Sequence, residues 1–163
     1  MPWSWRGRWF GEGFTEYYGI IAAQRAGLIE EADAKAAFAD LQAEMRFIEK
    51  QKGPRSLSAA SKASHENAYA SRIMYSKGAL LAWLVNERLS QEGRNLDEPM
   101  RVILDGTRRR LTTADLKRLF HDACSGRVDD LIERYTETNA VIPRIDFGPA
   151  TGKSGVARFL PEE

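Results

Sequence analysis

The sequence predicts an all-α fold, an orthogonal bundle of about six helices closed by a short extended C-terminal segment. Three observations carry that reading. Apolar residues recur three and four positions apart in nearly every segment, the signature of one helical face buried against others. Gly27, Gly53-Pro54, Gly93 and Gly126 punctuate the chain between those segments. And Gly78-Ala79-Leu80-Leu81-Ala82-Trp83-Leu84-Val85 is apolar nearly all round, as only a central, enclosed helix is.

The first helix carries Phe14, Tyr17, Tyr18, Ile21 and Ala22, with Gly27 as its stop. The second presents Phe38, Leu41, Met45 and Ile48 on one face, with Glu31, Lys35, Asp40, Glu44 and Lys50 elsewhere. Lys52-Gly53-Pro54 ends it, because proline disfavours helical backbone in the residue before it. Residues 55–72 are Ser/Ala-rich with little periodicity and read as loop with a short helical turn. The apolar segment from Gly78 is the central helix, stopped by Gly93. Leu96, Met100, Ile103 and Leu104 mark a short helix that tolerates Pro99 in its first turn. Thr112 and Asp115 have capping-box spacing ahead of Leu116, Leu119, Phe120 and Ala123. Gly126 separates that helix from one built on Val128, Leu131, Ile132 and Tyr135. Val141 to Phe147 reads as extended, and the Gly/Pro/Lys-rich end as a mobile tail.

With 163 residues, 43% hydrophobic and 29% charged, the chain has the composition of a globular domain with a real core. A net charge of +1 gives no general attraction to nucleic acid or anionic membrane, and the basic block Arg108-Arg109-Arg110 reads as solvated loop. Cys124 is the only cysteine; it falls on an apolar stripe, reads as a core thiol, and rules out an intrachain disulfide or an all-cysteine zinc site. No apolar run approaches the roughly 20 residues of a membrane-spanning helix. The first residues lack the apolar segment of a secretion signal, which leaves the compartment open.

Two stretches stand above this background. In Trp9-Phe10-Gly11-Glu12-Gly13-Phe14-Thr15-Glu16-Tyr17-Tyr18, one acid sits between two glycines among aromatic residues. A carboxylate buried in apolar surroundings is costly unless paired, protonated or metal-bound. Glu12 is therefore either a metal or catalytic position or an acid favoured by the dipole of a helix start. The glycines let the backbone pass close to another element. In Met74-Tyr75-Ser76-Lys77-Gly78, a tyrosine precedes the buried helix. Tyr75 is either a core or rim residue or a hydroxyl aimed into a cleft, where it would donate to a developing oxyanion.

Together, Trp-x-x-Glu-Gly-Phe-Thr-x-Tyr-Tyr and Tyr-x-Lys-Gly-Ala-Leu resemble the gluzincin metallopeptidases, most closely the glycyl aminopeptidase family that usually carries a PDZ domain. Tyr18-Gly19, Arg25-Ala26-Gly27-Leu28-Ile29, Leu131-Ile132-Glu133-Arg134-Tyr135 and Ile142-Pro143 continue the resemblance to about residue 145. It implies the helical half of a thermolysin-like catalytic domain over 1–140, with 141–163 a tail leading towards a PDZ domain. It further implies that Glu12 is the third zinc ligand, that Tyr75 stabilises the oxyanion, and that the substrates are peptides with small N-terminal residues. Glu16, one turn on, reads as a solvated neighbour.

The family's other two ligands and its general base come from a His-Glu-x-x-His helix upstream of the Glu-Gly pair, and this chain has only two histidines. His65-Glu66-Asn67-Ala68-Tyr69 ends in tyrosine and lies downstream. Since two histidines four apart are needed to share a helical face, His65 reads as a loop residue and His121 as a packed or rim residue. The expectation is a C-terminal part of a zinc aminopeptidase domain that by itself binds zinc weakly and hydrolyses nothing. The alternative is a helical interaction module keeping the peptidase scaffold without its chemistry. The aromatic start, Trp3, Trp5, Trp9 and Phe10, is expected to form an exposed apolar patch and drive homo-oligomer formation.

Overall fold

The computed structural model describes residues 7–105 and 111–148, and these form seven helices and no strand. They are α1 (Arg8–Arg25), α2 (Glu31–Lys52), α3 (Leu57–Ala63), α4 (Ala68–Ser90), α5 (Asp97–Asp105), α6 (Thr113–Cys124) and α7 (Asp129–Glu137). The helical-bundle expectation holds, with α3 added to the six helices foreseen. Arg108 to Arg110, Trp3, Trp5 and residues 149–163 lie outside the described residues.

Helix α4 is the hub, packing on α1, α2, α3 and α7, and most extensively on α1. Ala79, Leu80, Leu81, Ala82 and Val85 are fully buried. The helix starts well before Gly78, however, so Tyr75 lies inside it rather than at its boundary. The Asn67 side chain caps it by accepting from the amides of Tyr69 and Ala70. Ala70, Ile73, Met74 and Lys77 continue the buried stripe towards that cap, but small alanine and a charged lysine conceal the periodicity.

Helix α3 forms for a similar reason: Ser56 accepts from the Ala59 amide, and the short face it starts, Leu57, Ala60 and Ser61, is buried. Ser61 in turn accepts from the Trp9 amide at 3.1 Å, satisfying one of the unpaired donors of the first turn of α1. The capping box foreseen at Thr112 and Asp115 is present at the start of α6.

The aromatic start of α1 turns inward. Trp9 is fully buried, its indole N–H donating to Thr113 Oγ1 at 3.1 Å, and Phe10 and Phe14 pack on Phe120 of α6 at 5.9 and 5.6 Å between ring centres. This corrects the expectation that Trp9 and Phe10 form an exposed patch: Trp9 is fully buried and Phe10 is partly buried against the core. Cys124 is buried as expected, and burial pushes its thiol pKa up to about 11.

After α7 the chain runs without regular secondary structure over residues 139–148 and packs back on the bundle. The Gln42 side chain pairs with both backbone groups of Ile145, accepting from its N–H at 2.7 Å and donating to its carbonyl at 3.0 Å. Ile142 is buried, and Phe147 closes on Phe38 and Trp83. Beneath this segment lies Lys77, wholly buried. Its ammonium donates to Glu49 Oε1 (3.0 Å), the Arg55 carbonyl (2.8 Å) and the Ala140 carbonyl (2.7 Å), tying α2, the α2–α3 connection and the final segment to α4. All three donors of an ammonium are thereby used.

Candidate active site

The site is set by one helix crossing. Where α1 passes α4, Gly13 and Gly78 face each other so closely that a Cβ on Gly13 would lie 2.4 Å from Gly78 Cα and 2.9 Å from the Met74 carbonyl oxygen. A Cβ on Gly78 would lie 2.8 Å from Gly13 Cα and 3.0 Å from the Trp9 carbonyl oxygen. Only two residues without side chains let backbones meet at this separation. Gly11, the other glycine flanking Glu12, meets nothing within 4 Å, so the close approach belongs to Gly13 alone.

The crossing dictates what lies on either side of it. Successive residues of an α-helix are turned by about 100°. Counting back from Gly78, Tyr75 then falls on one flank of the contact and Lys77 on the other. Lys77 enters the core on its flank; Tyr75 meets Glu12 on the opposite one. The Glu12 carboxylate is the group that acts most strongly on the Tyr75 hydroxyl. Its hydrogen-bonding pull, followed by partial burial and the negative charge of Glu12, raises the Tyr75 pKa above the ordinary phenol value. Residues separated by more than sixty positions in sequence are thus partners, as a shared site requires.

Glu12 does not sit inside an aromatic box. The rings of Trp9, Phe10 and Phe14 face the core, while the Glu12 side chain is 29% exposed on another face of α1. Its Oε1 accepts from Arg8 Nη2 at 3.1 Å, one helical turn earlier. The other terminal nitrogen of Arg8 reaches the turn between α3 and α4, donating to Ser64 Oγ at 3.2 Å and lying 3.3 Å from His65 Nε2. A guanidinium only donates, so His65 faces it with the lone pair of Nε2. Glu16 lies close enough for its charge to act on Tyr75. The site therefore gathers Arg8, Glu12 and Glu16 from α1, Ser64 and His65 from the turn, and Tyr75 from α4.

These residues do not fit a tetrahedral zinc site. Such a site needs three or four nitrogen, sulfur or carboxylate ligands, and no group of three histidine, cysteine, aspartate or glutamate residues that could hold a metal occurs among the described residues. Glu12 already has a cationic partner. His121 stands on α6, where its Nδ1 lies 2.6 Å from Asp129 Oδ2. It lines a separate groove of about 520 Å³ between α6 and α7, with Lys117, Arg118 and Ile132.

Sequence reasoning missed Arg8, although its i, i+4 spacing to Glu12 is that of a helical ion pair. It also left Lys77 without a role, and here no sequence signal points to its partners, since Glu49, Arg55 and Ala140 are brought in by tertiary packing.

No curated protein and no solved structure matches the chain. Residues 3–83 do match a family model, that of the M61 glycyl aminopeptidases. Because the matched stretch contains Arg8, Glu12, both crossing glycines and Tyr75, it is the half of the chain that builds the site, and the match supports the M61 peptidase family for this protein.

Proposed function

We propose that this chain is a helical part of an M61-type aminopeptidase domain of gluzincin architecture, carrying the carboxylate and phenol side of a site for peptides with small N-terminal residues. The observation that supports it is the meeting of Glu12 and Tyr75 across the Gly13–Gly78 contact. In this reading Glu12 is the carboxylate that faces a zinc ion in a complete site, and zinc supplies polarisation of the scissile carbonyl. Tyr75 contributes one hydroxyl donor for the oxyanion. Glu12 alone cannot hold the metal, so the isolated chain is expected to bind zinc weakly and to hydrolyse nothing.

A second reading is favoured by one observation. The Glu12 carboxylate is already engaged by Arg8 and Tyr75, so the cluster is satisfied within the chain. That suits a non-catalytic interaction module retaining the peptidase scaffold. Zinc calorimetry and hydrolysis assays with glycyl and alanyl substrates test the absence of activity: sub-micromolar zinc affinity, or turnover lost in Glu12→Ala, overturns it. Titrating glycyl and alanyl amides into labelled protein separates the two readings. Resonance shifts centred on Tyr75 and lost in Tyr75→Phe support the peptidase-derived site. Shifts confined to other surfaces support the module.

A further inference from the structure

The segment that follows α7 is held the way a bound peptide is held. The Gln42 side chain of α2 pairs with both backbone groups of Ile145, at 2.7 and 3.0 Å. The buried Lys77 ammonium of α4 donates to the Ala140 carbonyl at 2.7 Å, and the Ser56 amide donates to Asn139 Oδ1 at 3.0 Å. Two side chains are the anchors: Ile142 is fully buried, and Phe147 packs on Phe38 of α2 and Trp83 of α4. Pro143, Arg144 and Asp146, lying between the anchors, are exposed. Backbone groups met by fixed side chains, with anchors seated in pockets, are the means by which protein surfaces recognise peptides. We propose that the channel between α2 and α4 is a peptide-binding surface whose occupant, besides the chain's own segment, is residues 139–148 of a second copy, exchanged reciprocally in a dimer.

Each of these hydrogen bonds and ring contacts is made by α2, the α2–α3 connection or α4, and not by α7, from which the segment departs. An identical segment arriving from another copy would make all of them again, and reciprocal exchange closes a two-fold dimer that keeps every contact. The Gln42 clamp reads backbone and so accepts any sequence, but the spacing of small Ala140, Ile142 and Phe147 does not. A second copy carries that spacing by construction. Thr138 ends α7 in non-helical backbone, with φ −111° and ψ 162°, so rotation about a few bonds there redirects the whole segment. Pro143 fixes its own φ and disfavours helical backbone at Ile142, so the segment loses little freedom on seating. What favours the closed monomer is the tether, which holds the segment at an effective concentration of about millimolar order. Exchange therefore gains when the chain's own segment seats poorly or the chain is concentrated.

Two variants of the whole chain separate segment from channel. Ile142→Ala/Phe147→Ala removes both anchors and leaves the channel intact; Gln42→Ala damages the channel and leaves the segment intact. Mixed, they are expected to form a heterodimer in sedimentation velocity at a concentration roughly tenfold or more below that at which either variant self-associates. A fluorescein-labelled peptide of residues 139–148 is expected to bind the anchor variant roughly tenfold or more tightly than the unsubstituted chain, whose own segment competes. Adding Gln42→Ala to the anchor variant, or removing both anchors from the peptide, should abolish that gain. Phe147→Ala alone repeats the measurement with less of the core removed, so a folding defect in the double variant does not decide the outcome. Equal peptide affinity for the anchor variants and the unsubstituted chain overturns the proposal, as does a gain that survives Gln42→Ala. Peptide binding in a mixture that stays monomeric overturns the second copy as occupant. Neither readout involves Glu12 or Tyr75, so failure here leaves the peptidase-derived reading standing, and failure of that reading leaves this one.

Discussion

Replacing Gly13 with alanine tests the crossing on which the site depends, and its sign is informative. In a helix interior alanine is favoured over glycine by about 1 kcal/mol, so propensity alone makes Gly13→Ala stabilising. Against this, the new methyl would lie 2.4 Å from Gly78 Cα, 2.6 Å from its carbonyl carbon and 2.9 Å from the Met74 oxygen. Carbon atoms in contact sit about 3.5–4.0 Å apart. All three neighbours are backbone, so no side chain can swing aside, and α1 must separate from α4 by about an ångström. Overpacking costs about 1–3 kcal/mol, and a backbone conflict at the main interface of the hub helix lies at the upper end. The net loss is then about 2 kcal/mol, which lowers Tm by about 4–8 °C for a chain of this size. Gly11→Ala is the matched control in the same helix, since its Cβ meets nothing within 4 Å. It should gain about 1 kcal/mol. Urea unfolding followed by circular dichroism at 222 nm measures both. If the two variants change stability equally, or Gly13→Ala is the more stable, the glycine contact does not set the packing and the account of the site fails.

Three further outcomes follow from the same structure. Lys77→Met strands the Glu49 carboxylate in the core, where Oε2 already has no hydrogen-bond partner. It should cost about 3–5 kcal/mol in urea unfolding, and Lys77→Met/Glu49→Leu should cost less than the single change. The hydrogen bond to Asp129, first, and the charge of that group raise the His121 pKa. The stability this pair contributes is therefore complete below the ordinary histidine pKa and is lost as pH climbs through the raised one. A stability–pH profile should show that decline, and His121→Gln should lack it. Burial of Cys124, with its thiol pushed up to about 11, predicts negligible reaction with a disulfide reagent at pH 8 until denaturant unfolds the chain. Rapid labelling in native buffer would show that the α6 core opens.

What was legible in the sequence follows from how far each signal reaches. Phe38, Met45 and Ile48 announce α2 because large apolar residues at helical spacing need nothing outside the helix to be recognised. The Thr112–Asp115 cap is legible for the same reason. Helix α3 and the first turns of α4 were not, because their buried faces use Ala60, Ser61, Ala70 and Lys77. Small residues there serve close approach: Ser61 accepts from the Trp9 amide, which needs α1 and α3 nearly in contact. The aromatic run Trp9-Phe10 suggested a surface because its covering partner, Phe120, lies far along the chain. The site divides in the same way. Glu12 and Tyr75 were named from motifs, and Arg8 lay within reach of its i, i+4 spacing to Glu12, but Ser64 and His65 enter through a turn whose position no local pattern encodes.

One proton distinguishes a structural from a functional role for Tyr75. A phenol carries a single O–H, and Glu12 is the acceptor that acts on it most strongly. While the proton is turned to Glu12, Tyr75 cannot donate to a substrate oxygen. Drawing the carboxylate towards a cation weakens the bond and frees the donor, so the two roles assigned to this pair are coupled. The coupling has a stability consequence. Tyr75 is only half-buried, unlike its neighbours Met74 and Ser76, and its hydroxyl meets an acid that already has Arg8. A hydrogen bond of this kind contributes about 0.5–1.5 kcal/mol, and exposure places it at the lower end. Tyr75→Phe should therefore unfold within about 1 kcal/mol of the unsubstituted chain while losing any response to glycyl amides. A loss of about 3 kcal/mol or more, of the size seen when core groups are removed, would make the hydroxyl a structural fastener and leave Gly13 and Gly78 explained by packing alone.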